Sequence, residues 1–137
     1  MKKFINNNDD FLKESLTGFG KAHSDIINVN LDPSFVSRKN KTKDGKVSLI
    51  SGGGSGHEPM HGGFVGHGML DAACPGFVFS APTPDQMQAA AEHVDSGAGV
   101  LFIVKNYSGD IMNFPMGAEM YSCLLYTSDA ADERSCG

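Results

Sequence analysis

A chain of 137 residues with 40% hydrophobic and 20% charged side chains has the size and composition of one globular domain. Wholesale disorder is excluded, and no metal or disulfide is needed merely to fold. Its net charge of −5 argues against non-specific binding to nucleic acid or anionic membrane. The apolar runs are too short to cross a bilayer, and the opening MKKFINNNDD has no apolar signal-peptide centre, so the cytoplasm is the expected compartment.

The first predicted element is a helix over residues 9–21, with Phe11, Leu12, Leu16 and Phe19 facing inward and Gly18 and Gly20 weakening it. A strand follows at 46–51 (KVSLIS), bounded by Asp44-Gly45 and Gly52. It enters a stretch holding nine of the chain's 17 glycines, from Gly52 to Gly76. Met60, Phe64, Val65, Met69 and Leu70 interleave with them; a flexible linker would lack such residues, so this segment is expected to pack. A second strand is predicted at 77–81 (FVFSA), closed by Pro82.

Thr83 and Gln86 then form a capping-box pair, with Pro84 at the first helical position. Met87, Ala90, Ala91 and Val94 recur as one apolar stripe, and Gly97 supplies the stop. The run VLFIV at 100–104 is continuously apolar, the mark of a strand covered on both faces. Strand, helix and strand make a βαβ unit with an expected right-handed crossover. The fold class is therefore α/β, a parallel or mixed sheet flanked by helices. The end, YSCLLYTSDAADERSCG, turns polar and small after Leu124 and Leu125 without a helical or strand period. It reads as a frayed tail, or as a chain broken off or continued in a foreign frame.

Cys74, Cys123 and Cys136 form no CxxC pair, so neither a zinc knuckle nor a thioredoxin-type site is indicated. His57 and His61 stand in H-E-P-M-H, a literal match to the zinc-protease pattern. That chemistry needs both imidazoles on one continuous helix. Pro59 between them and Gly62-Gly63 after them oppose such a helix, and the zinc reading is rejected. His57 instead ends the glycine loop Gly52-Gly53-Gly54-Ser55-Gly56, directly after a predicted strand. Pro59 is placed to open a helix there. In open α/β sheets ligands bind beyond the carboxyl ends of strands. Loop N–H groups can point at phosphate or hydroxyl oxygens, and a neutral histidine beside them can take a proton from a hydroxyl. The Walker, dinucleotide and nucleophile-elbow patterns all fail in this loop.

A second polar loop, Lys105 to Asp110 (KNYSGD), follows the strand at 100–104 and is expected on the same rim. Lys105 suits an oxygen-rich ligand, and Asp110 suits a hydroxyl or a helix cap. His23, His67 and His93 have no such setting and read as surface or structural residues.

Together, KVSLISGGGSGHEPMHGGFVGHGMLDAACPG, SAPTPDQ and VKNYSGDIMNF closely resemble the dihydroxyacetone kinase family. The likeness is to the amino-terminal part of its substrate-binding K subunit or domain, over residues 1–120. The resemblance implies phosphorylation of dihydroxyacetone in glycerol and triose metabolism. It implies that Gly54, Ser55, Gly56 and His57 hold the substrate together with Lys105 and Asp110. His57 would be the general base, assisted by Asp110. No cofactor would be bound by this part. ATP or ADP with magnesium would sit on a separate L subunit or domain, and a phosphotransferase-system donor is the other possible source of phosphate. A homodimer is implied for the full-length subunit.

The family continues well beyond this length, to a later histidine that holds the substrate carbonyl as a hemiaminal; no residue here matches it. Residues 121–137 resemble nothing in the family and are read as a truncation or assembly artefact, and the fragment alone is expected to be inactive. Pro115 is expected to delay the helix after Asp110. The alternative from another class is a non-catalytic regulator of the same fold that senses the triose.

Overall fold

The computed structural model describes residues 3–40 and 42–122. It begins with helix α1 (Phe11–Ala22), then strands β1 (Ile27–Leu31) and β2 (Ser34–Arg38). Strand β3 (Ser48–Ser55), a short 3-10 turn (Gly62–Phe64) and strand β4 (Ala72–Val78) follow. Helix α2 (Pro84–Val94), strand β5 (Val100–Ile103) and helix α3 (Ser108–Ser122) complete it. One mixed sheet carries the order β1-β2-β4-β3-β5. β1, β2 and β4 pair antiparallel, whereas β3 runs parallel to both β4 and β5. The α/β class and the mixed sheet flanked by helices are as expected.

Alternation along the strands builds two cores. Phe35, Ile50, Ala72, Cys74, Val100 and Phe102 face α2 and α3, meeting Met87, Ala91, Phe114 and Tyr121. Their neighbours Val36, Leu49 and Ala73 face the other way, toward Leu16 and Phe19 of α1. The period-2 geometry of a strand thus lets small residues such as Ala72 and Ala73 serve opposite layers. Gln86 does two jobs. Its Oε1 accepts from Thr83 N at 2.8 Å, as the capping pair requires, and its Nε2 donates to Ser34 O at 2.8 Å and Pro75 O at 2.9 Å. It thereby bridges β2 and β4 where their two-pair ladder has ended.

Several expectations change. The β1–β2 hairpin was not predicted. The second predicted strand, 77–81, lies instead at Ala72–Val78, pairing with β3 through its small residues. Residues 57–61 form turns, so Pro59 opens no α-helix, and the 3-10 turn follows. Asp110 stands in the first turn of α3 rather than at its cap, and Pro115 lies inside that helix without delaying it. The proline forfeits one backbone bond, while Phe114, Gly117, Ala118 and Tyr121 bury the helix against its neighbours. Cys74 is buried, and burial pushes its thiol up to about 12. Cys123 and Cys136, and the tail from residue 123 onward, lie outside the described residues. Among the described residues no helix is long and apolar enough to cross a membrane.

The end of the sheet where β3 and β4 begin holds a buried carboxylate. Asp71 is fully buried and accepts from Arg38, Thr42 and Lys46 side chains and from Leu49 N. Burial pushes its carboxyl up, but the donors from Lys46, Leu49, Arg38 and Thr42 outweigh that and hold it below the ordinary value. A depressed folded-state pKa contributes stability above the unfolded value, near 4, and loses it as pH falls through the folded one. Asp71→Asn is therefore expected to cost about 3 kcal/mol at pH 7, because two cations keep their places without a counter-charge. Urea unfolding at pH 7 and pH 3 checks it: the gap between wild type and variant should narrow in acid.

Candidate functional site

β3 and β5 run parallel from the pair Ser48 and Val100 to the pair Ser51 and Ile103, so the chain leaving each strand opens on one rim. β5 stops at Ile103, and Lys105 emerges just beyond it. β3 continues four residues further, as the glycine run itself. Gly52, Gly53 and Gly54 are not a loop, as expected from composition, but ladder partners of Cys74, Pro75 and Gly76. A bulge between Gly54 and Ser55 ends the strand. The glycines are there because neighbours press on them. A Cβ at Gly53 would meet Lys105 Nζ at 3.0 Å and His61 Cε1 at 3.2 Å. Gly56 turns the chain at φ +108°, a region closed to most side chains.

This geometry brings His57, Lys105 and Asp110 together. The half-buried His57 ring stacks on Tyr107, with centroids 5.9 Å apart, and meets the Phe79 ring edge-on at 5.4 Å. Lys105 Nζ lies 4.7 Å from the Tyr107 centroid, so the same ring carries the lysine and lines the histidine. Asp110 is 2% exposed. Burial pushes its carboxyl up, against the opposing pull of Lys105 and His57. Lys105 Nζ and Asp110 Oδ1 are buried without a hydrogen-bond partner among the described residues. Buried polar atoms without partners are rare in finished structures, and a donor and an acceptor left open together suit a small ligand bearing both.

The remaining members of the GSGH motif are placed differently. Ser55 is buried and its hydroxyl donates to Gly76 O at 2.7 Å, tying β3 to β4. The Gly56 N–H donates to Glu58 Oε2 at 2.8 Å, so a carboxylate oxygen occupies the place expected for a ligand oxygen. Gly54 lies against the backbone of Phe79 and Ser80. Two further residues belong to the site and went unread in the sequence. Phe79, at φ +51°, lays its largely exposed ring against Gly56 and edge-on to His57. His61 has a buried Nδ1 without a partner. Its only local signal was the HEPMH spacing, which points to a helix that does not form. Among the described residues no group of three or more His, Cys, Asp or Glu side chains could hold a metal ion.

Residues 17–128 match the profile of the Dak1 domain. The chain belongs to the Dak1 family. Over 120 residues it is 52% identical to the dihydroxyacetone-binding subunit DhaK of the PEP-dependent dihydroxyacetone kinase of Escherichia coli K12, covering 88% of this chain and 33% of that one. The fold is similar to that of the dihydroxyacetone kinase from C. freundii, solved in complex with AMP-PNP and Mg2+. The TM-score is 0.85 at 38% identity, covering 93% of this chain and 24% of that one. It is also similar to the dihydroxyacetone kinase operon co-activator DhaQ, with a TM-score of 0.77 at 32% identity over 85% of this chain and 35% of that one. This Dak1 chain spans about a third of the length of curated DhaK relatives that it matches.

Proposed function

We propose that this chain is the amino-terminal part of the substrate-binding subunit of a dihydroxyacetone kinase, ending in a short foreign tail. The observation that carries the reading is the buried, partnerless pair Lys105 Nζ and Asp110 Oδ1 beside His57. Dihydroxyacetone offers what such a pair lacks, carbonyl and hydroxyl oxygens to accept from Lys105 and a hydroxyl proton to donate to Asp110. That hydroxyl's one proton, held by Asp110 while the ketone is bound, passes to His57 as the oxygen attacks the phosphoryl group. Phosphoryl transfer depends chiefly on such positioning and on charge stabilisation. Gly54, Ser55 and Gly56 shape the wall that carries His57.

The phosphoryl donor is proposed to sit on a separate L subunit or domain, as ATP with magnesium or as a phosphotransferase-system relay. The full-length protein is read as a cytoplasmic homodimer. The test is a coupled assay of the complete subunit with its donor partner. Phosphorylation of dihydroxyacetone is the expected result, and none at all would refute the reading. In the same assay the 137-residue chain alone should show no turnover. The second reading, a triose-sensing regulator, draws support from the likeness to the co-activator. It would show as dihydroxyacetone binding without any phosphorylation.

A further inference from the structure

The proposed reaction employs His57, Lys105 and Asp110 but leaves His61 without a task. We propose that His61 is a second substrate-positioning residue, whose Nδ1 pairs with the triose hydroxyl that is not phosphorylated and so selects for a ligand with two hydroxyls. This rests on the dihydroxyacetone reading and deepens it.

The first observation is the company His61 Nδ1 keeps. It is buried and without a hydrogen-bond partner among the described residues, as are Lys105 Nζ and Asp110 Oδ1. The second is shape. The His61 ring and Lys105 Nζ approach one point, the place a side chain at Gly53 would occupy, at 3.2 Å and 3.0 Å. Cε1 lies between the two ring nitrogens, so the open Nδ1 is one bond from the atom nearest that point. Residue 53 is glycine, and the gap between lysine and imidazole stays clear; any Cβ would close it.

The third observation is charge. Burial, then Lys105, then His57 hold the imidazole below its ordinary pKa. A neutral imidazole has one donor and one acceptor nitrogen, and a hydroxyl, which both donates and accepts, can pair with either. The ring is also held in place. Phe64 N donates to His61 O at 3.0 Å, fixing the backbone that carries the ring, and His61 lines the same cleft as Gly53, Leu16 and Phe19. Dihydroxyacetone has three oxygens. With one hydroxyl at His57 and Asp110 and an oxygen at Lys105, the third falls to His61.

The experiment compares dihydroxyacetone with hydroxyacetone, which lacks one hydroxyl, in the complete subunit with its donor partner. A site that leaves a buried polar group unpaired rejects the analogue, so wild type should favour dihydroxyacetone. His61→Leu should raise KM for dihydroxyacetone about ten- to a hundredfold. It should leave kcat/KM for hydroxyacetone within about threefold, so that the preference collapses. His61→Phe, which keeps a planar ring, should behave alike, and His61→Gln should retain part of the preference. Equal losses for both ketones, no change for either, or failure of both apolar variants to fold would overturn the proposal. Absence of dihydroxyacetone phosphorylation by wild type is a different result; it would refute the function itself.

Discussion

Replacing His57 by alanine in the complete subunit is expected to lower kcat about 10²–10⁴-fold, the usual loss of a general base, with a much smaller effect on KM. The expectation follows from how the ring is held. Tyr107 stacks on one face and Phe79 meets it edge-on, so the imidazole is oriented before any substrate arrives. Lys105 and Asp110 would still bind the ketone in the variant, which is why the loss should fall on kcat. Asp110→Asn should lower turnover by a smaller factor. It should also change the acid limb of the pH profile, because burial holds the Asp110 carboxyl above its ordinary value. Steady-state kinetics from pH 5 to 9 on both variants check this. Turnover by His57→Ala within threefold of wild type would remove His57 from the mechanism.

The largest effect on stability is expected at Gly76. A Cβ there would lie 2.1 Å from Ser80 O and 2.7 Å from the backbone of Ala81 and Pro82. These are main-chain atoms in the tight turn after β4, and they cannot rotate away as a flexible side chain would. Gly76→Ala should therefore lower the unfolding free energy by about 3 kcal/mol or more, at the upper end of overpacking penalties. It should also disturb Ser55, whose hydroxyl bonds to Gly76 O. Gly18→Ala is the control of opposite sign. Nothing lies within 4 Å of a Cβ there, and alanine within an exposed helix gains roughly 0.5–1 kcal/mol over glycine. Urea denaturation of the three proteins decides the matter. Equal midpoints for Gly76→Ala and wild type would contradict the packing described at the rim.

What the sequence disclosed depends on where each cause lies along the chain. The start of α2 was legible because Thr83, Pro84 and Gln86 are neighbours and act locally. β5 was legible because burial on both faces leaves an unbroken apolar run. The β1–β2 hairpin was missed because its strands are short and half polar. β4 was misplaced for a clearer reason. Ala72, Ala73, Cys74, Pro75 and Gly76 look like punctuation yet form the strand, since β3 and the turn at Ser80 leave room only for small residues. Phe77 and Phe79 look like core yet are 69% and 72% exposed on the rim.

The site shows the same division. His57, Lys105 and Asp110 follow strands that run parallel, so their meeting on one rim could be read from order alone. Asp71 had no local signal, because its partners Arg38, Thr42 and Lys46 lie 33, 29 and 25 residues away. His61 was visible only within a helical metal motif, and the turn that replaces that helix aims it at Gly53 instead.

Lys105, Asp110 and His57 are proposed together to hold a triose. A crystal structure of the complete subunit soaked with dihydroxyacetone tests it most directly. The ketone is expected within hydrogen-bond distance of Lys105 Nζ and Asp110 Oδ1, with one hydroxyl facing the His57 ring. A triose bound elsewhere, with Lys105 and Asp110 still unpaired, would contradict it.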